Sequence, residues 1–310
     1  MAQIPRTDLD VFPLCLGSNI FGWTIDRDQS FAVLDAYVVA GGNFIDTADS
    51  YSSWVPGNSG GEAEQIIGEW LAERGNRDQI VIATKVGRQP GLEGLAPDTI
   101  RHAAEDSLRR LGIEAVDILY AHADDPAVPL EESLGALGEL VIAGKTRYLA
   151  ASNYPVERLA EALAVSEREG LPSYVALQPE YNLIERGYED SLQELCQREE
   201  LACFPYYALA SGFLTGKYRR GAGDVDSPRA EGAAKYLDGR GTAVLAALDE
   251  VAAAHDSEPA AVALAWLRLQ PTVLAPVASA RDSAQLSPLL ASVELELSGK
   301  DLARLDQAAG

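Results

Sequence analysis

The chain lacks three features that would narrow its function at once: an excess of basic residues, cysteines in metal-binding patterns, and long apolar runs. Its 310 residues include 25 Lys and Arg against 47 Asp and Glu, a formal net charge of −22. Nucleic acids and anionic membrane surfaces are bound by basic patches, so this charge argues against both as partners. No apolar run reaches the roughly 20 residues of a membrane span, and the N-terminal segment does not resemble an export signal. We therefore predict a cytoplasmic protein.

Cysteine and histidine are both scarce. Cys15, Cys196 and Cys203 lie in apolar or helical segments without the spacing of metal ligands, so we predict three buried free thiols. Of the 3 histidines, only His122 follows a predicted strand. A metal-dependent hydrolase needs histidine and carboxylate ligands at strand ends, and the sequence disfavours that function.

What the chain does have is a regular alternation of short β-rich runs and helical segments. Eight runs are predicted as strands: residues 12–17, 43–47, 79–85, 115–121, 146–152, 174–180, 201–207 and 272–278. Strands that alternate with helices form parallel sheets, and their apolar character indicates burial on both faces. Eight units in one continuous run fit a (β/α)8 TIM barrel better than a doubly wound sheet. We predict a single α/β domain over residues 1–310.

Amphipathic helices are predicted between these strands and after the last one. Their ranges are 29–40, 61–74, 97–111, 130–143, 155–169, 187–200, 240–255, 258–270, 281–290 and 298–309. The interval between the last two strands is the longest, and a stretch rich in Gly, Asp, Ser and Arg at 211–241 occupies much of it. A loop of this length is usually functional or disordered.

Four polar residues stand at or just after the ends of consecutive predicted strands: Asp46, Tyr51, Lys85 and His122. Chemistry in (β/α)8 enzymes takes place at the carboxyl ends of the strands, so we expect these residues to meet at one rim. An ammonium about 4 Å from a phenolate stabilises it by roughly 4 kcal/mol at an effective dielectric near 20, or about three pKa units. Lys85, held by Asp46, would thus lower the pKa of Tyr51. The set predicts a proton donor for a carbonyl, with His122 bonded to the substrate oxygen.

Seven motifs, in order along nearly the whole chain, resemble the aldo-keto reductase family. They are NFIDTADSYS, the strand that ends in Lys85, LYAH, ASNY, LQPEYNL, PYYALASGFLTGKYR and PVASARDSAQL. The resemblance is closest to the branch of bacterial reductases and potassium-channel β-subunits. It implies NADP(H)-dependent reduction of an aldehyde or ketone, with the cofactor extended over the barrel and no Rossmann domain. Indeed, no GxGxxG motif follows the first strand.

The resemblance also implies a role for each matching residue. Tyr51 would be the general acid, Asp46 and Lys85 its tuning pair, and His122 the residue that orients the carbonyl. The nicotinamide end would be bound by Ser152, Asn153, Gln178 and Tyr206, and a long loop at about 208–240 would cover the cofactor. The phosphates and the adenine would be bound by Tyr207, Leu209, Ser211, Gly212, Leu214, Lys217, Arg229, Ser279, Arg281 and Gln285.

Some positions depart from the family pattern or admit two interpretations. Pro288 and Leu289 replace a frequent Glu and Asn near the adenine, and Ala208 replaces a frequent proline. The basic group Lys217, Arg219 and Arg220 is either phosphate-binding or ordinary loop charge. Trp23 and Trp54 either line an aromatic substrate pocket or anchor their loops. A nucleotide-binding regulatory subunit with slow turnover is the alternative to an enzyme.

Overall fold

Eight parallel strands form one sheet in the computed structural model, which describes residues 1–219, 221 and 227–310. The strands are β1 (Cys15–Gly17), β2 (Phe44–Asp46), β3 (Val81–Val86), β4 (Val116–Ala121), β5 (Thr146–Ser152), β6 (Tyr174–Gln178), β7 (Ala202–Cys203) and β8 (Val277–Ala278). They follow one another in chain order around the sheet, and β8 pairs with β1. A bridge from Cys203 to Val273 joins the remaining edges. The predicted (β/α)8 fold in one domain is confirmed.

Helices cover the outside of the sheet. They are α1 (Arg27–Val39), α2 (Glu62–Arg74), α3 (Pro97–Leu111), α4 (Leu130–Ile142), α5 (Val156–Glu169), α6 (Leu192–Arg198), α7 (Ala230–Ala234), α8 (Gly239–Ala254), α9 (Pro259–Arg268), α10 (Ser283–Ala291) and α11 (Gly299–Ala309). Within the described part of the chain, no helix is long and apolar enough to cross a bilayer.

The three strands that shorten most relative to the sequence prediction each lie beside a proline, which accounts for the difference. The predicted strands 12–17, 201–207 and 272–278 shrink to β1, β7 and β8, beside Pro13, Pro205 and Pro276. Proline has no N–H to donate to a sheet. Its carbonyl can still accept a hydrogen bond. Cys15 N donates to Pro276 O at 2.9 Å, and Val277 N donates to Pro205 O at 2.8 Å. The barrel therefore stays joined where the strands are short.

The barrel interior is packed, and a hairpin that the sequence analysis did not predict closes its lower end. Strands Ala2–Gln3 and Asp10–Val11 pair antiparallel, and Ile4 and Leu9 between them are buried against the barrel core. The guanidinium of Arg6 donates to the carbonyl of Tyr174, the first residue of β6, at 2.6 Å. The hairpin thus lies at the amino ends of the strands.

Helices α2 and α3 approach closely behind β3, the strand that carries Lys85. A Cβ on Gly68 would lie 2.6 Å from the carbonyl oxygens of Arg110 and Leu111. Beside this contact, the buried carboxylate of Glu64 accepts from Arg110 Nε at 2.6 Å and from Thr84 Oγ at 2.5 Å. Burial raises the pKa of Glu64, and Arg110 opposes that shift. The absence of a side chain at position 68 therefore lets a buried ion pair form against β3.

We predict that Gly68→Ala destabilises the protein by about 1–3 kcal/mol, the usual cost of overpacking a tight contact. Gly135→Ala is the matched control, because Gly135 lies inside α4 and a Cβ there would meet nothing within 4 Å. At that site alanine should stabilise by up to about 1 kcal/mol through its helix propensity. Thermal melting of both variants checks the pair. Equal shifts of the same sign would contradict the close-approach argument.

Candidate active site

The ammonium of Lys85 lies at the centre of a buried polar cluster at the carboxyl ends of β2 and β3. Its Nζ is 2.7 and 2.6 Å from the two carboxylate oxygens of Asp46 and 2.8 Å from the carbonyl of Thr47. It also donates to the hydroxyl of Tyr51 at 2.8 Å. The side chains of Lys85 and Asp46 are each 1% exposed. The lysine that the sequence singled out is therefore completely enclosed and fully paired.

Strand register brings the two charged residues together. Asp46 pairs with Ala83 in β3, and Lys85 follows two residues later on the same face. The loop that carries Tyr51 is fixed by Ser52, whose backbone is left-handed (φ 69°) and whose buried hydroxyl donates to Phe21 O at 2.7 Å. The Tyr51 hydroxyl in turn donates to Asp46 at 3.1 Å. The phenol is thus held between a carboxylate and an ammonium.

The sequence led us to expect a lowered pKa for Tyr51, and the structure gives the opposite direction. Burial and the adjacent Asp46 carboxylate raise the pKa of Tyr51 well above its ordinary value. The expectation failed because it left out the burial of the phenol and treated Asp46 only as the residue that holds Lys85, not as a negative charge beside Tyr51. Tyr51 is therefore protonated at neutral pH. The ammonium at 2.8 Å stabilises the phenolate only once the proton has left.

His122 follows β4 and lies beside Tyr51, with ring centroids 6.3 Å apart at a steep angle. Its backbone N–H donates to Val86 O at 3.0 Å, and its carbonyl accepts from the side chain of Asn153 at 2.8 Å. Burial and the nearby cations Lys85 and Arg88 hold the pKa of His122 well below its usual range. The imidazole is therefore neutral at neutral pH and carries a single N–H.

The residues proposed for the nicotinamide end form one hydrogen-bond chain that reaches the cluster around Lys85. Tyr206 donates to Asn153 Oδ1 at 2.7 Å, and Asn153 Nδ2 donates to Ser152 Oγ at 3.0 Å. Ser152 donates to the carbonyl of Gln178 at 2.9 Å, and Gln178 Nε2 donates to Asp46 at 2.9 Å. Amide and hydroxyl groups beside a partly exposed tyrosine ring suit a flat ring that carries a carboxamide.

The loop after β7 curls through several left-handed residues. Tyr207, Ala210, Ser211 and Gly212 have φ values of 55, 48, 57 and 85°. Leu214 turns inward: its side chain is buried and its N–H donates to Leu209 O at 3.2 Å. The side chain of Leu214 is therefore too deeply buried to contact a ligand in this arrangement. Tyr207 is 49% exposed at the rim.

A second cluster lies near the end of β8 and contains four of the residues proposed for the phosphates and the adenine: Arg229, Ser279, Arg281 and Gln285. Asn19 Oδ1 accepts from Ser279 Oγ at 2.9 Å and from Arg229 Nη2 at 3.0 Å. Gln285 accepts from the backbone N–H of Arg281 at 3.2 Å. Burial lowers the pKa of Arg229, and the nearby Arg281 adds to the shift. The sequence analysis missed Asn19, since no motif marked it and its partners are more than 200 residues away.

Three of the predicted phosphate ligands are cations without a carboxylate partner. Among the described residues, Lys217, Arg229 and Arg281 form no ion pair within 4.0 Å. Arg219, by contrast, pairs with both oxygens of Asp249 at 2.8 Å and faces α8. Arg220 lies outside the described residues. Unpaired cations beside a hydroxyl are the chemistry that an anionic phosphate requires, so this donor set fits the phosphates of a dinucleotide.

Trp23 and Trp54 lie at the same rim as Tyr51. Their rings contact edge to face at 5.4 Å, and Trp54 is 6.4 Å from the ring of Tyr51. Arg229 lies 5.8 Å from the Trp23 ring. Trp54 remains 49% exposed. Both tryptophans therefore border the space above Tyr51.

The chain is similar to known proteins along nearly its whole length. The family model described as "Aldo/keto reductase family" matches residues 13–309. Protein tas of Escherichia coli K12 is 32% identical, over 98% of this chain and 96% of that protein. The aryl-alcohol dehydrogenase GME11368 of Pestalotiopsis microspora is 30% identical over 98% of this chain and 80% of that protein. Norsolorinic acid reductase B of Aspergillus parasiticus is 29% identical over 98% of this chain and 82% of that protein. The chain belongs to the aldo/keto reductase family.

We predict that Asp46→Asn destabilises the protein by about 3–5 kcal/mol, because it leaves the buried Lys85 ammonium without its counter-charge. Glu139→Gln is the control, since it removes one partner of a surface pair with Arg101 whose side chains are 59% and 42% exposed. That change should leave stability unaltered, as surface pairs contribute little. Urea denaturation measures both. An unchanged midpoint for Asp46→Asn would contradict the central role of the buried pair.

Proposed function

We propose that this protein is an NADPH-dependent reductase that converts an aldehyde or ketone to an alcohol, with Tyr51 as the general acid. The observation that carries the proposal is the Tyr51 hydroxyl, held 2.8 Å from Lys85 and 3.1 Å from Asp46 at the open end of the barrel. Family membership supports oxidoreduction of a carbonyl. A location in the cytoplasm stays a prediction from the sequence.

The residues of the chain would divide the proton chemistry among them. Tyr51 would give its proton to the substrate oxygen, and the Lys85 ammonium would stabilise the resulting phenolate. His122 would donate a hydrogen bond to the same oxygen. When bound, NADPH supplies the hydride, and the two additions together give the alcohol. Because Tyr51 has a raised pKa, its proton would leave only as the substrate oxygen gains negative charge.

The cofactor would be held by two groups of residues on this proposal. Asn153, Ser152 and Gln178 would bind the carboxamide, and the ring of Tyr206 would stack on the nicotinamide. Lys217 and Arg229, which pair with no carboxylate among the described residues, would bind the diphosphate. Ser279 and Arg281 would take the 2'-phosphate, for which a guanidinium offers forked donors. This last pair is the basis for proposing NADPH over NADH.

An aromatic carbonyl compound is the substrate class that the rim supports best. Trp23 and Trp54, with Tyr51 below them, offer aromatic faces and edges to a planar ligand. Two relatives carry names that refer to an aryl alcohol and to norsolorinic acid. We propose a planar aromatic aldehyde or ketone on these grounds.

The alternative of a regulatory subunit with slow turnover has one observation in its favour. The raised pKa of Tyr51 makes proton donation harder than in a site with an acidified phenol. Stopped-flow oxidation of bound NADPH with a panel of aromatic and aliphatic aldehydes distinguishes the two. Rapid oxidation by some member supports the enzyme, and no reaction with any of them supports the regulatory subunit.

We predict that Tyr51→Phe reduces carbonyl turnover by at least about 100-fold, the usual contribution of a positioned acid. The variant keeps the ring and its contact with Trp54, so NADPH affinity should stay within about twofold. Steady-state kinetics and fluorescence titration measure the two quantities. A variant that retains more than about a tenth of the wild-type rate would show that another group is the acid.

We predict that Arg281→Ala weakens NADPH binding by about 10- to 100-fold, as expected for loss of a charge-assisted hydrogen bond. NADH affinity should not change, because it has no 2'-phosphate. Arg219→Ala is the matched control, since its guanidinium is paired with Asp249, and it should alter neither affinity. Equal wild-type affinity for the two cofactors would overturn the assignment of Arg281.

A further inference from the structure

Two buried polar atoms beside the proposed acid face each other without a hydrogen-bond partner. Asp49 Oδ1 and His122 Nδ1 lie 4.0 Å apart, and neither bonds to any other residue that the structure describes. The Asp49 side chain is 0% exposed and that of His122 is 10% exposed. Buried donors and acceptors are rarely left unpaired in native proteins. The pair therefore calls for an explanation that neither the fold nor the mechanism so far provides.

Asp49 is held in place by the backbone of β3 and the residues after it. Its N–H donates to Lys85 O at 3.1 Å, and its Oδ2 accepts from Gly87 N at 3.1 Å. With Oδ2 fixed in this way, the carboxyl plane presents Oδ1 to His122. The residue lies only three positions after Asp46, in the motif that carried the family resemblance. The motif thus supplies two carboxylates to one site.

Burial and the neighbouring groups shift the pKa of Asp49 in opposite directions. Burial raises the pKa of Asp49 to about 6. The Gly87 N–H, the Arg110 guanidinium on α3 and the Ser50 hydroxyl all oppose this rise. Arg110 is itself bound to Glu64 at 2.6 Å, which limits its effect on Asp49.

The charges around His122 are mainly positive. Lys85 from β3 and Arg88 from the hairpin Arg88–Gln89/Leu92–Glu93 lower its pKa together with burial, and Asp46 opposes them. His122 therefore does not readily bind a second proton to become an imidazolium. A proton held between Asp49 and His122 would be titrated by the two groups together rather than by either one alone.

The state of Asp49 decides which nitrogen of the neutral imidazole carries the hydrogen. An ionised Asp49 attracts the hydrogen to Nδ1, and Nε2 is then an acceptor that cannot donate to a carbonyl oxygen. A protonated Asp49 donates to Nδ1, and the hydrogen of the imidazole then lies on Nε2. Only the second arrangement gives a reducible carbonyl a hydrogen bond from His122.

We propose that Asp49 is a positioning residue that shares one proton with His122 Nδ1 and thereby decides whether His122 Nε2 donates to the substrate oxygen. The distance of 4.0 Å is longer than a hydrogen bond, but such contacts are often loose without substrate and tighten in the complex. The effect on turnover rests on the proposed carbonyl reduction. The coupling between the two side chains does not, and can be measured without cofactor or substrate.

Nitrogen NMR of protein labelled at histidine tests the coupling in the free protein. The chain has 3 histidines, and His122→Gln identifies the signals of His122 by their loss. In the wild type we expect the hydrogen of His122 to move from Nε2 to Nδ1 as the pH rises, with a midpoint near the pKa of about 6 of Asp49. A single Nε2–H form throughout about pH 5 to 9 would overturn the proposal without any variant.

We expect Asp49→Asn to abolish the pH-dependent movement of the imidazole hydrogen of His122. Its amide oxygen can accept from Gly87 N while its NH2 group donates to His122 Nδ1, so the Nε2–H form should persist at every pH. Asp125→Asn is the matched control, because Asp125 also accepts backbone N–H groups, from Leu95 at 2.8 Å and Ala127 at 3.1 Å. The control should titrate like the wild type. An unchanged His122 titration in Asp49→Asn would overturn the proposal.

The pH profile of carbonyl reduction then tests the consequence for turnover. The required hydrogen on Nε2 is present below the pKa of the pair and lost above it, so wild-type kcat/KM should fall about tenfold per pH unit above the midpoint. Asp49→Asn should remove this fall, and Asp125→Asn should keep it. If Asp49→Asn leaves both the NMR titration and the fall in place while Tyr51→Phe abolishes turnover, only this proposal fails. If Tyr51→Phe stays active, the proposed function fails and the NMR result still decides the coupling.

Discussion

The buried ion pair between Lys85 and Asp46 is the interaction on which the rest of the site depends. Two unit charges inside a barrel are tolerated only when each is fully paired. Here three neighbouring groups complete the pairing: the Thr47 carbonyl, the Gln178 amide and the Tyr51 hydroxyl each bond to one partner or the other. The pair also fixes the relative height of β2 and β3, because a shift of one residue in either strand would turn Lys85 or Asp46 out of the barrel. Fold register and proton chemistry are therefore set by the same contact.

The charges of Lys85 and Asp46 cancel, which makes Tyr51 less acidic. Other cations of the chain remain available to an anionic ligand. Since Asp46 balances Lys85, Tyr51 is surrounded by no net positive charge, and burial makes it a weaker acid than an isolated phenol. The cations that pair with no carboxylate in the described part of the chain, Lys217, Arg229 and Arg281, lie toward the end of β8 and on the preceding loop. Arg229 brings this positive charge close to the reacting centre, since its guanidinium lies 5.8 Å from the Trp23 ring and Tyr51 is among the groups that affect its pKa.

The sequence was sufficient for the architecture and for the membership of the central cluster, and insufficient for its electrostatics. Strand-and-helix alternation predicted the barrel, and the rule that chemistry lies at strand ends brought Asp46, Lys85 and His122 to one rim. The sign of the Tyr51 pKa shift could not be read in this way, because it depends on whether Asp46 or Lys85 dominates at distances of 3.1 and 2.8 Å. The role of Asn19 could not be predicted for a different reason. Its contacts with Arg229 and Ser279 join segments that no local sequence pattern relates. Strand ends were misjudged where proline carbonyls continue the pairing beyond the regular strand.

The two aspartates of the motif NFIDTADSYSS illustrate how environment divides roles between identical side chains. Asp46 accepts from Lys85, Tyr51 and Gln178, so both of its oxygens are saturated with donors. Asp49, three residues later, is equally buried but receives one backbone hydrogen bond on one oxygen, while the other faces His122. The difference arises from the strand geometry: Asp46 ends β2 and points into the barrel toward Lys85, whereas Asp49 follows the turn and lies behind the Gly87 N–H. A single short loop thus provides both a carboxylate that holds the lysine and a buried carboxyl with a raised pKa beside the histidine.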